Sequence, residues 1–123
     1  MKIALIEISS AVHDQNYIDK SLEGFIAELE DHFDLTFFDL ENISEINEKK
    51  YDIILNFVKT GGTESLFKDK FSELPRPFYF LATSLHNSLP ASLEMLSYVQ
   101  SKGEIGKILH GNMAKLLKDI KKF

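Results

Sequence analysis

Cysteine is absent from the 123 residues, so the chain has no disulfide framework, no thiol nucleophile and no thiolate metal site. The absence fits a reducing compartment, and the cytoplasm is the expected location. Long hydrophobic runs are missing as well. None approaches the roughly 18 residues that a membrane-spanning helix needs, and the stretch between Lys2 and Ser9 is too short for a signal peptide. Positive charge is in deficit: 14 Lys and Arg face 19 Asp and Glu, a formal net charge of −5. Sequence-independent nucleic-acid binding rests on the opposite balance, so neither nucleic acid nor membrane is an expected partner. The one basic cluster, Lys115, Lys118, Lys121 and Lys122, reads as cations in the last turns of a terminal helix. No repeat, low-complexity stretch or linker divides the sequence, so residues 1–123 are expected to form a single α/β domain. A hydrophobic content of 44 %, with ten Phe, is enough to build a core without staples.

What is present alternates. Residues 3–8 are nearly all apolar, as in a central strand covered on both faces, with Glu7 interrupting near the carboxyl end. After a polar loop holding His13 and Asp14, Ile18, Leu22, Phe25, Ile26, Leu29 and Phe33 recur at helical spacing, and Asp14 or Asn16 is placed to cap them. Residues 35–40 read as a second strand, and Ser44 as the cap of a short helix running to Lys50. Residues 51–58 read as the third strand. Thr63 then caps a helix with Glu64 in its first turn and Leu66, Phe67, Phe71 and Leu74 inward, ended by Pro75 and Pro77. Residues 78–83 read as the fourth strand. Ser88 caps the next helix, with Leu89, Leu93, Leu96 and Val99 on its buried side and Gly103 at its end. Residues 105–110 form a weaker fifth strand, and Asn112 caps a last helix with Met113, Leu116, Leu117 and Ile120 inward. Five strand–helix alternations with short connections predict a doubly wound parallel five-stranded sheet, flavodoxin-like, with strand order 2-1-3-4-5.

Open sheets of this kind place ligands at the carboxyl ends of their strands. Two turns stand there, Thr60, Gly61, Gly62, Thr63 and Glu64 after the third strand, and His86, Asn87 and Ser88 after the fourth. Together they form a polar, uncharged-to-acidic lining suited to hydroxyl groups, and these residues are the expected substrate contacts. His13 and His110, at the ends of the first and fifth strands, are secondary candidates. The glycine pair supplies either a positive φ or a close approach of backbone amides to a ligand oxygen. Asn87, one residue before the expected cap, reads as dispensable to the fold.

Other chemistries fit poorly. The glycines are neither G-x-G-x-x-G nor a P-loop, and the paired acids and late lysine of a phospho-receiver domain are not found. The three strand-end histidines with Glu64 match no local ligand spacing, so no metal is expected in this chain. Ser84 or Ser88 with His86 and Asp14 lacks the nucleophile-elbow pattern, and neighbouring Ser and His face each other poorly.

The run Thr60, Gly61, Gly62, Thr63, Glu64, followed by His86, Asn87, Ser88, Leu89, Pro90, Ala91, Ser92, Leu93 and Glu94, resembles the amino-terminal domain of fucose/arabinose-isomerase-type proteins. His110 with Gly111 fits as well, and the resemblance spans most of the chain. It implies an α/β domain that binds an open-chain sugar or polyol, often across a subunit boundary, in a homo-oligomer. It also implies that a divalent metal such as manganese, and the acids that move the proton, belong to further domains. On that reading this chain needs no cofactor of its own and is not a complete aldose–ketose isomerase. Two other readings stand beside it: an oligomerisation module whose turns are purely structural, and a small metal-free enzyme with Glu64 as base and His86 as acid.

Overall fold

The computed structural model describes residues 1–10 and 14–123. His13 therefore lies outside the described residues. β1 (Lys2–Ile8) leads into α1 (Gln15–His32), whose start is capped by Asp14: its carboxylate accepts from the Asn16 and Tyr17 amides at 3.0 and 3.2 Å. Next come β2 (Asp34–Asp39), β3 (Ile53–Val58), α2 (Glu64–Lys70), β4 (Phe78–Ala82), α3 (Ser88–Ser101), β5 (Gly106–Leu109) and α4 (Met113–Ile120). The strands are all parallel in the order β2-β1-β3-β4-β5, the flavodoxin-like arrangement.

Alternation along each strand sorts the apolar side chains into two layers. Ile3, Leu5, Leu55, Phe57 and Leu81 pack under α1 and α4, meeting Leu22, Leu29, Leu116 and Ile120. Ile6, Ile8, Val58, Phe78 and Phe80 pack on the other face against Phe67, Ala91, Met95 and Val99 of α2 and α3. Much of the aromatic stock is spent in this second layer, where Phe67 touches Phe71, Phe78, Phe80 and Tyr98 with ring centroids 5.4–6.4 Å apart. The Phe content is thus largely interior; Phe37 and Phe123 are the exposed members.

Two local expectations are corrected. The helix predicted over 44–50 is replaced by two single 3-10 turns, Ile43–Glu45 and Glu48–Lys50. Ser44 caps neither; the Asn47 carboxamide oxygen accepts from the Lys49 amide and restarts the chain between them. On α3 the inward face is Ser88, Ala91, Ser92, Met95 and Val99, while Leu93 is 51 % exposed and Leu89 and Leu96 are half-buried. Ser88 sets this phase. It is tied into the sheet by its hydroxyl, so the positions three, four, seven and eleven residues later must face inward with it. Small Ala and Ser there let the helix lie close to the strands.

Candidate functional site

The two turns singled out from the sequence do meet. The Gly61 amide donates to the His86 carbonyl at 2.7 Å, and a Cβ added at Gly61 would stand 2.9 Å from the Asn87 Cβ. Gly62 adopts φ +73°, and His86 and Asn87 follow with φ 54° and 59°. Left-handed backbone at two successive non-glycine residues is costly and persists only where the surroundings hold it. Here the hold is the Gly61 bond together with the Ser88 amide donating to the Leu85 carbonyl at 3.0 Å.

Several predicted contacts are consumed by this scaffold. Thr60, Thr63 and Ser88 are fully buried. The Thr60 hydroxyl oxygen accepts from the Ser10 amide at 3.1 Å, and the Thr63 hydroxyl donates to the Thr60 carbonyl at 3.0 Å rather than capping α2. Ser88 does not close α3 as a cap either, since Asn87 takes that position. Its hydroxyl donates to the Val58 carbonyl and accepts from the Thr83 amide at 3.0 Å, which stitches β3 to β4. A buried Ser88 bonded in this way is not available to His86, which removes Ser88 as the nucleophile of a hydrolase arrangement.

Glu64 is half-buried at the start of α2, and His86 and Asn87 stay at the rim. The His86 Nε2 lies 2.7 Å from the Ser21 oxygen, and the Tyr17 ring meets the imidazole edge to face with centroids 5.8 Å apart. Ser21 has one hydroxyl proton and gives it to the Ile18 carbonyl at 2.7 Å. With that proton spent, the Ser21 oxygen accepts from Nε2–H, an arrangement open both to the neutral ring, whose Nδ1 is an acceptor, and to the imidazolium, whose Nδ1 is a second donor. His110 sits apart, half-buried after β5, with its carbonyl accepting from Lys115 Nζ at 3.0 Å.

Sequence reasoning passed over the neighbouring charged group. Lys59, the residue after β3, is 7 % exposed, and its ammonium donates to Glu7 at 2.8 Å and to Asp19 at 2.5 Å. Burial is the largest single influence on Lys59 and pulls its pKa down, but the hydrogen bonds and charges of Asp19 and Glu7 outweigh it and hold the ammonium above 10.5. The trio forms a shared wall between two clefts. One, of about 570 Å³, opens at the carboxyl ends of β1, β2 and β3 and is lined also by Ser9, Asp39 and Asp69. The other, of about 700 Å³, runs between α1 and β2 past Leu22, Ile26 and Phe37. The first opens beside the β1/β3 boundary, where the strand order reverses. The available signal was an acid inside an otherwise apolar strand, because a charge placed there needs a partner.

Among the described residues no group of three or more His, Cys, Asp or Glu is placed to hold a metal ion. No helix among them is long and apolar enough to cross a membrane. No family model, curated protein or solved structure matches this chain.

Proposed function

We propose that this chain is a sugar-isomerase-like amino-terminal domain that binds an open-chain sugar or polyol at the carboxyl edge of its sheet. On this reading it is not a complete isomerase, and the metal and proton-moving acids of such an enzyme belong to other domains. The observation that carries the reading is the locked pair of turns. The Gly61 amide holds the left-handed backbone of His86 and Asn87 at the edge where open sheets bind ligands, leaving Glu64, His86 and Asn87 as polar groups at an accessible rim. A reducing, cytoplasmic setting goes with this reading, supported by the lack of cysteine.

A second reading, an assembly module, draws on Tyr17, Leu66 and Leu85, which are 65 %, 42 % and 43 % exposed on the segments that follow β1, β3 and β4. One experiment separates the two. Saturation-transfer NMR against pentoses, 6-deoxyhexoses and polyols is expected to find a ligand whose affinity falls up to about tenfold in Glu64→Gln and in Asn87→Asp, the loss of one hydrogen bond. Asp tolerates the left-handed backbone, so the second variant keeps its fold. Absence of any sugar signal, with an oligomer that Leu85→Asp disperses in sedimentation, would replace the binding reading by the assembly one.

A further inference from the structure

We propose that the cleft beside Lys59 seats one end of the bound molecule and selects a neutral polyhydroxylated chain over its phosphate ester. This rests on the sugar-binding reading and adds a subsite to it. Lys59 has three N–H donors, and two are taken by Glu7 and Asp19. The third has no acceptor among the described residues, although the side chain is 9 % accessible and lines the cleft wall. A donor that lines the cleft and has no protein acceptor there is free to take an incoming ligand oxygen in place of water.

The surroundings decide which oxygen. Glu7 and Asp19 each commit one carboxylate oxygen to Lys59, and the other oxygens remain acceptors. A hydroxyl group accepts from the ammonium through its oxygen and donates its proton to a carboxylate, so it pairs with both charges at once. An adjacent hydroxyl repeats the pattern one carbon further on. A phosphate offers acceptors only. It also meets a lining of Glu7, Asp19, Asp39, Glu41 and Asp69 against Lys59 and Lys70, a formal excess of three negative charges. The volume of about 570 Å³ lies in the range of small-molecule sites and accommodates a five- or six-carbon chain.

The test is an amide-resolved NMR titration of the full chain with D-arabinitol and with D-arabinitol 5-phosphate. Two variants accompany it. Leu66→Trp fills the cleft mouth from an exposed position, and the double change Glu7→Gln with Lys59→Met removes the ammonium without leaving Glu7 as an unpaired acid. Arabinitol is expected to shift the amides of Ser9, Lys59 and Leu66, with affinity reduced at least tenfold in both variants and at least tenfold weaker for the phosphate ester. Shifts confined to Gly62, His86 and Asn87, indifferent to Leu66→Trp, would overturn the subsite while leaving sugar binding intact. Equal or tighter binding of the phosphate ester would overturn the selectivity. No shift with either compound would remove the sugar-binding reading and the subsite together.

Discussion

The turns after β3 and β4 and the cleft beside them adjoin at one peptide bond, with Lys59 on one side and Thr60 on the other, and they spend their polar groups in opposite ways. In the turns the hydroxyls of Thr60, Thr63 and Ser88 and the amide of Gly61 are bonded inside the protein. In the cleft, ionised groups pair with one another around water-accessible space, with the Glu7 and Asp19 side chains 31 % and 59 % accessible. The contrast shows how polar residues at a strand end should be weighed. A small hydroxyl there is as good a backbone splint as it is a ligand contact, and the count of its own hydrogen bonds decides. A lysine cannot disappear into a splint in that way, because its charge must be answered by other charges.

Removing a splint should cost most. Ser88→Ala leaves the Val58 carbonyl and the Thr83 amide unpaired in the interior, an expected loss of about 2–4 kcal/mol read from the urea midpoint. A loss under about 0.5 kcal/mol would mean that the backbone closes the gap itself and the turns are less fixed than the cleft. Breaking the ion trio comes next. Lys59→Met should cost about 1.5–3 kcal/mol near neutral pH, with part of that recovered when Glu7→Gln is added. Its pH dependence is distinctive. A lysine whose folded pKa is raised contributes fully below 10.5 and loses that contribution as pH climbs through the higher folded value, so wild type and Lys59→Met should converge in strong alkali. A gap that stays constant with pH would assign the effect to packing of the lysine stem.

The smallest effects sharpen the turn itself. Gly61→Ala forces a Cβ against Asn87 and should cost about 1–2 kcal/mol. Asn87→Ala should cost about 1 kcal/mol, whereas Asn87→Gly should change stability by less than about 0.5 kcal/mol. The expectation that Asn87 is dispensable fails on its φ of 59°, which alanine resists and glycine accepts. Thermal unfolding of the three variants side by side checks the order; equal losses in Asn87→Gly and Asn87→Ala would point to the side chain instead of the backbone.

The sheet was legible because apolar runs such as 3–8 and 51–58 repeat with helical stretches between them, and periodicity survives whatever the loops do. The phase of α3 was not legible. Leucines at 89, 93 and 96 outweigh alanine and serine by hydropathy, but the pair of bonds from Ser88 to β3 and β4 turns the small residues inward. Hydropathy counts side chains one at a time and carries no information on such a tether. The rim was found from strand-end glycines and polar residues, while the buried status of Thr60, Thr63 and Ser88 depends on partners far away in sequence, such as Ser10 and Val58. Lys59 was visible as the first residue of the turn. Its partners Glu7 and Asp19, 52 and 40 positions away, were not.

The contact between Gly61 and Asn87 has a consequence for how this sequence can diverge. With 2.9 Å between the place a Cβ would take and the Asn87 Cβ, a side chain at 61 fits only where the Cβ at 87 shifts or is missing. The left-handed backbone at 87 in turn admits few residues besides glycine, asparagine and aspartate. Positions 61 and 87 therefore do not drift independently. A descendant of this chain that gains a side chain at 61 should carry a compensating change at 87, with glycine there the simplest one.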